Sequence, residues 1–383
     1  MSNSASRIRP SSAHLWVPCP GSVQLSARHG LPDGDSPEAE EGIKGHKVAE
    51  MMLRKRLWPS RDYGGAGEGV TATMLDAAQV WVDHASGLVA KTGVAGGPNI
   101  GAETFVLASR IHVEAHGTCD FWLYDRRTET LYVRDYKYGF EVVEPRENWQ
   151  LIVYASGLLE LLQLSHWPNL NLGIVQPRAP HPEGPVRTWQ CDGVVFSQLR
   201  DHAKRSAYEA LTSNEPYTEP GPQCKYCPAR HACSTLRNSV HDAIRWFGHG
   251  EGGEQGPEAV GLELEWLREG KALLESRLSG LEEQAKSMAA EGNPPSGWRV
   301  ERSYGREKWN VDPDTLEQTA SMLGVDVMRK QVLTPNQTRD KLKAAGVSAN
   351  ALDRLTYRPS KGWKLVRTDE SVAHSVFGRQ QEK

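Results

Sequence analysis

The chain has 383 residues, enough to bury a substantial core and to form more than one domain. Its formal net charge is −3, so there is no global basic field, and a polyanion site would have to concentrate positive charge locally. No long apolar run marks a membrane span, the polar Met1–Pro10 lacks the apolar core of a signal peptide, and no Gly-x4-Gly-Lys-Ser/Thr run encodes a P-loop motor. A soluble cytoplasmic protein is expected, in a compartment where free thiols and metal thiolates persist.

In chain order, Glu41-Gly-Ile-Lys-Gly-His46-Lys-Val-Ala-Glu50 runs into Met51-Met52-Leu53 and predicts a helix with His46 in its first turns. A neutral imidazole there can complete a metal shell made otherwise of carboxylates. Thr73–Ala90 reads as an amphipathic helix and Glu103–His112 as a strand. Gly117–Asp125 and Leu131–Lys137 read as two strands, with Asp125–Thr130 as a hairpin connection. Such a pair brings Asp120 and Asp135 to one end of a sheet, and Asp135 and Lys137, two residues apart, project together. Paired carboxylates suit a hard cation such as Mg²⁺, and a lysine beside them meets an anionic phosphate, which is the chemistry of phosphodiester hydrolysis. The plain alternative is a surface ion pair across a hairpin. Arg146–Leu162 predicts a helix with Gln150 and Tyr154 one turn apart on one face, an amide and a phenol able to hydrogen-bond phosphate or the lysine. Leu170–Gln176 and Val186–Cys191 read as further strands, and Ser197–Leu211 as another helix.

Three of the six cysteines form Cys224-Lys-Tyr-Cys227-Pro-Ala-Arg-His-Ala-Cys233. Cys-x-x-Cys spacing lets two thiolates hold one metal centre, and a third nearby speaks against a disulfide framework. Cys19, among turn-forming residues, is the candidate fourth ligand, with His231 as the alternative for zinc, whereas Cys119 and Cys191 lie in strand-like runs as small buried hydrophobes. Spacing does not separate structural zinc from an iron–sulfur cluster.

His46, Asp120, Asp135-x-Lys137 and Gln150-x-x-x-Tyr154, bracketed by one early cysteine and a late Cys-x-x-Cys-x5-Cys, together resemble the RecB-like branch of the PD-(D/E)XK nucleases. Within it they resemble the iron–sulfur members, AddB-type nuclease domains and the CRISPR-adaptation exonucleases. Ser11-Ser-Ala-His14-Leu-Trp-Val-Pro-Cys19-Pro and Glu41-Gly-x-x-x-His46-x-x-Ala-Glu50 look like an uncharacterised phage and prophage family of such nucleases. The resemblance covers roughly residues 11–235, with one departure: Cys119 stands where a proline precedes the first aspartate.

The resemblance implies an α/β fold, a restriction-endonuclease-like mixed sheet flanked by helices. It implies His46, Asp120, Asp135 and the Tyr136 carbonyl as ligands of Mg²⁺ or Mn²⁺, and Lys137 as the group that orients or helps deprotonate the attacking water. Gln150 and Tyr154 would support Lys137 and contact DNA. Cys19, Cys224, Cys227 and Cys233 would bind a structural 4Fe–4S cluster, with zinc as the alternative. Glu103 reads as an outer group or, more simply, as a solvent-facing strand residue. The implied activity is a DNA nuclease, an exonuclease of phage or prophage recombination with a single-strand annealing protein as partner; the alternative is a non-catalytic DNA-binding or scaffold protein.

The expected organisation is a nuclease domain over 11–240, a Gly-rich linker over 248–256 with five glycines in nine positions, a long helix over 257–291 and a basic region over 292–383. Val260, Leu264, Leu267, Leu274, Leu278 and Leu281 predict a short coiled-coil-like seam that packs back within the chain. Residues 329–367 hold ten Lys or Arg against Asp340 and Asp353, and Tyr357 and Trp363 sit among them as candidate base-stacking residues.

Overall fold

A computed structural model of the protein describes residues 6–31, 37–60, 64–65, 67, 69–164, 166–247 and 256–301. These belong to one compact unit, Met1–Glu301. Nearly all of the predicted linker, and the basic region beyond Glu301 with Tyr357 and Trp363, lie outside the described residues. Helices α1 (Ala13–Trp16), α2 (Gly21–His29), α3 (Pro37–Leu57) and α4 (Ala72–Thr92) precede a five-stranded sheet of β1 (Ile100–Leu107), β2 (His116–Asp125), β3 (Thr130–Tyr136), β4 (Asn169–Val175) and β5 (Val186–Cys191). Helix α5 (Trp149–Leu161) lies between β3 and β4, and α6 (Gly193–Thr212), α7 (Ser234–Phe247) and α8 (Pro257–Ala290) follow.

The sheet order is β1-β2-β3-β4-β5. β1, β2 and β3 pair antiparallel, β4 joins β3 in parallel, and β5 returns antiparallel to β4. A parallel pair cannot be closed by a tight turn, and α5 supplies its crossover. The expected mixed α/β fold is therefore present.

Strand alternation sends Phe121, Leu123, Tyr132 and Tyr136 to one face, where they pack with Val48 and Leu53 of α3 and Trp81 of α4. Trp122, Tyr124, Leu131 and Val133 go to the other, against Leu151, Ile152 and Leu158 of α5. All seven residues of β3 are buried, as a central strand covered on both faces requires. Helix α5 is buried from Leu151 through Leu159, which accounts for a run too apolar to show a polar face. The Asn148 side chain accepts the Leu151 N–H at 3.2 Å, so this helix starts at Trp149 rather than at Arg146.

Other boundaries move for local reasons. β1 stops at Leu107, and the chain turns where Ile111 N–H donates to the Ala108 carbonyl at 2.9 Å, so the strand expected to reach His112 is shorter. Helix α3 starts at Pro37, which places His46 near its middle rather than in its first turns. Helix α8 packs back within the chain, as expected, but through a different face: Ser276 and Gly280 are buried, while Leu274 and Leu278 remain 41% and 52% exposed. A Cβ at Gly280 would lie 2.9 Å from the His231 backbone nitrogen, so a small residue is what allows α8 to approach the cysteine segment. Among the described residues no helix is long and apolar enough to cross a membrane.

Candidate metal centre and catalytic group

The β2–β3 register runs to Phe121↔Arg134, and one step further along the two strands Asp120 and Asp135 face each other at the sheet end. Both are buried. Asp120 Oδ2 accepts the Tyr136 backbone N–H at 2.7 Å and lies 3.2 Å from His46 Nε2, so α3 delivers the imidazole over the end of β2. Tyr136 itself points away from α5, its ring packed edge-on to His46 with centroids 5.8 Å apart.

Asp135, Lys137, Gln150 and Tyr154 form a connected chain of contacts. Gln150 Nε2 donates to Asp135 Oδ1 at 2.7 Å and to Tyr154 OH at 3.3 Å, and Gln150 Oε1 accepts from Lys137 Nζ at 2.9 Å. Lys137 Nζ is also 3.0 Å from Asp135 Oδ2, a buried ion pair. Gln150 thus holds both the lysine and the second aspartate, and Tyr154, one helical turn on, bonds Gln150.

The residue that sequence reasoning undervalued is Glu103. β1 pairs Ala102 with Phe121 and Thr104 with Cys119, so Glu103 stands opposite Asp120, and its φ is 49°. A left-handed non-glycine residue inside a strand costs about 1–3 kcal/mol and persists only where its surroundings impose it. Here it turns the carboxylate inward. Ligand atoms of His46, Glu103 and Asp120 all lie within 4.8 Å of one another, the one such trio of His, Cys, Asp or Glu among the described residues. Asp135, expected as a ligand, is not in that trio; its oxygens are occupied as described above. The only sequence signal for Glu103 was a lone carboxylate in the strand Ile100-Gly-Ala-Glu-Thr-Phe-Val.

The electrostatics describe a site with surplus negative charge. Burial, then the Asp120 charge, pushes the Glu103 carboxyl well above the usual range. Burial also raises Asp135, with Lys137 opposing and Asp120 reinforcing the rise. For His46, burial is the largest influence and acts downward, but the Asp120 hydrogen bond and the charges of Asp120, Glu103 and Asp135 prevail and lift it to about 9. Lys137 loses to burial and gains more from Asp135 and Asp120, so it stays protonated. A divalent cation fits this donor set: two carboxylates and an imidazole around one point.

The four candidate cysteines come from distant segments. Cys19 follows α1, and Cys224, Cys227 and Cys233 bracket the turn before α7; all four line one small recess. Their sulfurs accept backbone N–H groups: Glu219 on Cys19, Gly221 on Cys224 and Leu236 on Cys233, each at 3.4 Å, and Ala229 on Cys227. Burial raises the thiols of Cys19 and Cys227, and that of Cys224 to about 11, against these N–H donors. No three of the sulfurs lie within 4.8 Å of one another. His231, the alternative ligand, is buried but does not line the recess. Cys119 and Cys191 are buried in the core on the α5 face of the sheet, away from it.

The candidate site and the cysteine recess both fall within one family match. A family model described as "Protein of unknown function (DUF2800)" matches residues 6–371, nearly the whole chain, and the protein belongs to that family.

Proposed function

We propose that this chain is a divalent-metal-dependent DNA nuclease. The observation that carries the reading is the convergence of His46, Glu103, Asp120, Asp135 and Lys137 at one sheet end, with Gln150 fixing the lysine 3.0 Å from Asp135. His46, Glu103 and Asp120 would hold a Mg²⁺ or Mn²⁺ ion, with Asp135 and the Tyr136 carbonyl facing the same end. When bound, such an ion lowers the pKa of a coordinated water and polarises the phosphoryl group.

The chain's own residues do the remaining work. Lys137, held protonated by Asp135 and Asp120, offers an N–H donor to the water and to the negative charge that develops on phosphorus oxygens. Gln150 orients the Lys137–Asp135 pair, because its amide bonds both partners at once. Tyr154 closes the chain as a neutral phenol, its pKa raised by burial.

The refinement to an exonuclease of phage or prophage recombination, with a single-strand annealing protein as partner, rests on the resemblance of the ordered motif set to RecB-like nucleases. The Cys19, Cys224, Cys227 and Cys233 recess is read as a structural 4Fe–4S site. Four thiols with backbone N–H donors suit thiolate ligands of either zinc or a cluster. Around one zinc, with Zn–S about 2.3 Å, tetrahedral sulfurs would stand about 3.8 Å apart. No three of the four sulfurs group within 4.8 Å here, and the cluster reading rests on the resemblance.

The test is hydrolysis of single- and double-stranded DNA by purified protein with Mg²⁺ or Mn²⁺. Cleavage abolished in Asp120→Ala and Lys137→Ala is expected. DNA binding without cleavage under either metal would instead make the protein a non-catalytic DNA-binding or scaffold protein.

A further inference from the structure

A groove of about 480 Å³ lies between the N-terminal segment and the turn that holds Cys224 and Cys227. Five of its twelve lining residues are serines, two are arginines, and none is Asp or Glu. Arg7 is paired with Glu114 at 2.9 Å, but Arg9 is exposed, bonds only the Ser6 carbonyl through Nε at 3.2 Å, and has no carboxylate partner among the described residues.

The two ends of the groove are informative. At one, Ser11 holds His14 through its carbonyl, 3.1 Å from Nδ1, and His14 is close enough to Lys137 to feel its charge. At the other, Ser26 hydrogen-bonds Cys227. Tyr226, from between the two cysteines, completes the wall; its ring meets His14 edge-on at 5.5 Å and is 45% exposed. The Arg9 guanidinium and the exposed Ser11 match phosphate oxygens, whose protein contacts come mainly from such groups; the nearby carboxylates, Glu114 and Glu141, are held by Arg7 and by Lys225 and Tyr226. The Tyr226 ring, with Lys225 Nζ 5.1 Å from its centroid and its hydroxyl on Glu141, is the aromatic surface beside them for an unpaired base.

We propose that this groove binds a single DNA strand, with Arg9 and the exposed Ser11 on the backbone and Tyr226 under a base, and leads it from the catalytic group toward the cysteine recess. The assignment rests on the nuclease reading and names the strand path for it.

The experiment measures binding of a labelled single-stranded oligonucleotide to the full chain, with Ca²⁺ in place of Mg²⁺, alongside Mg²⁺-dependent hydrolysis of bis(p-nitrophenyl) phosphate, which is too small to fill the groove. Arg9→Ala and Tyr226→Ala are each expected to weaken binding about tenfold, and Arg9→Ala to flatten the salt dependence by about 0.7 in log–log slope. Tyr226→Phe should retain affinity, Lys91→Glu at the exposed end of α4 should change nothing, and hydrolysis of the small ester should be unaltered in all four. Folding is safeguarded because Trp16 Nε1 bonds the Arg9 carbonyl, at 3.0 Å, rather than its side chain. Wild-type affinity in both alanine variants, or equal loss of small-ester hydrolysis, overturns the groove and leaves the nuclease reading in place. A wild-type protein that neither binds the strand nor hydrolyses either substrate overturns both.

Discussion

Glu103 faces Asp120 across the β1–β2 pair with its backbone in the left-handed region, φ 49°, so that two carboxylates share one buried end of the sheet. Without a cation this arrangement is self-repelling: burial and Asp120 raise the Glu103 pKa, so its ionisation opposes folding as the pH climbs above the ordinary carboxylate range. Glu103→Gln is therefore expected to raise the melting temperature of metal-free protein at pH 8. The same change should weaken Mn²⁺ binding roughly 10–100-fold by titration calorimetry. Unchanged Mn²⁺ affinity would remove Glu103 from the metal group.

Gln150 bonds Lys137 and Asp135 simultaneously, at 2.9 and 2.7 Å. A hydrogen bond to a charged group contributes about 1.5–3 kcal/mol, so Gln150→Ala should lower kcat roughly 10–100-fold. Mn²⁺ affinity should hold, since Gln150 touches none of His46, Glu103 or Asp120. Steady-state kinetics paired with calorimetry separate this from general misfolding, which would depress both.

Two glycines of α3 should respond oppositely to alanine. Gly42 has nothing near its missing Cβ, and Gly→Ala in a helix interior stabilises by about 1 kcal/mol. At Gly45 the Cβ would lie 2.6 Å from the Tyr138 ring, next to His46, and overpacking costs about 1–3 kcal/mol. Chemical denaturation should show Gly42→Ala more stable and Gly45→Ala less stable than the parent; a stabilised Gly45→Ala would mean that Tyr138 moves aside freely.

His84 accepts from buried Arg134 at 2.9 Å, and burial followed by the Arg134 charge lowers its pKa from 6.5 to about 4. A depressed folded pKa means the contribution is complete above 6.5 and is lost as pH falls through about 4. Melting temperature should drop across that interval, and His84→Gln should reduce the slope while keeping an acceptor for Arg134. An identical pH profile in the variant would assign the acid loss to other groups.

Cys19→Ala and Cys224→Ala should lose bound metal and thermal stability together, because a structural metal contributes folding free energy and Cys19 ties α1 to a turn some two hundred residues away. Cys119→Ala and Cys191→Ala should keep the metal and lose only packing. Metal analysis of anaerobically purified protein, brown for a cluster and colourless for zinc, reads out both points; full metal in Cys19→Ala would transfer the fourth ligand elsewhere.

What the sequence determined by itself is what short-range pattern encodes. Period-two alternation marks β2 and β3, their hairpin follows from the Asp125–Thr130 connection, and one helical turn sets Gln150 beside Tyr154. These relations depend on neighbours a few residues apart, so they survive without knowledge of the rest of the chain. Tertiary structure alone decided which way Glu103 points, since strand periodicity cannot foresee a left-handed residue imposed by packing. It also decided that His46 sits mid-helix over Asp120, that His231 does not line the cysteine recess, and that α8 buries Ser276 and Gly280 while Leu274 and Leu278 remain exposed. Each of these depends on contacts between segments far apart in the chain, where a helix seam or a lone carboxylate carries the same local pattern whichever neighbour it meets.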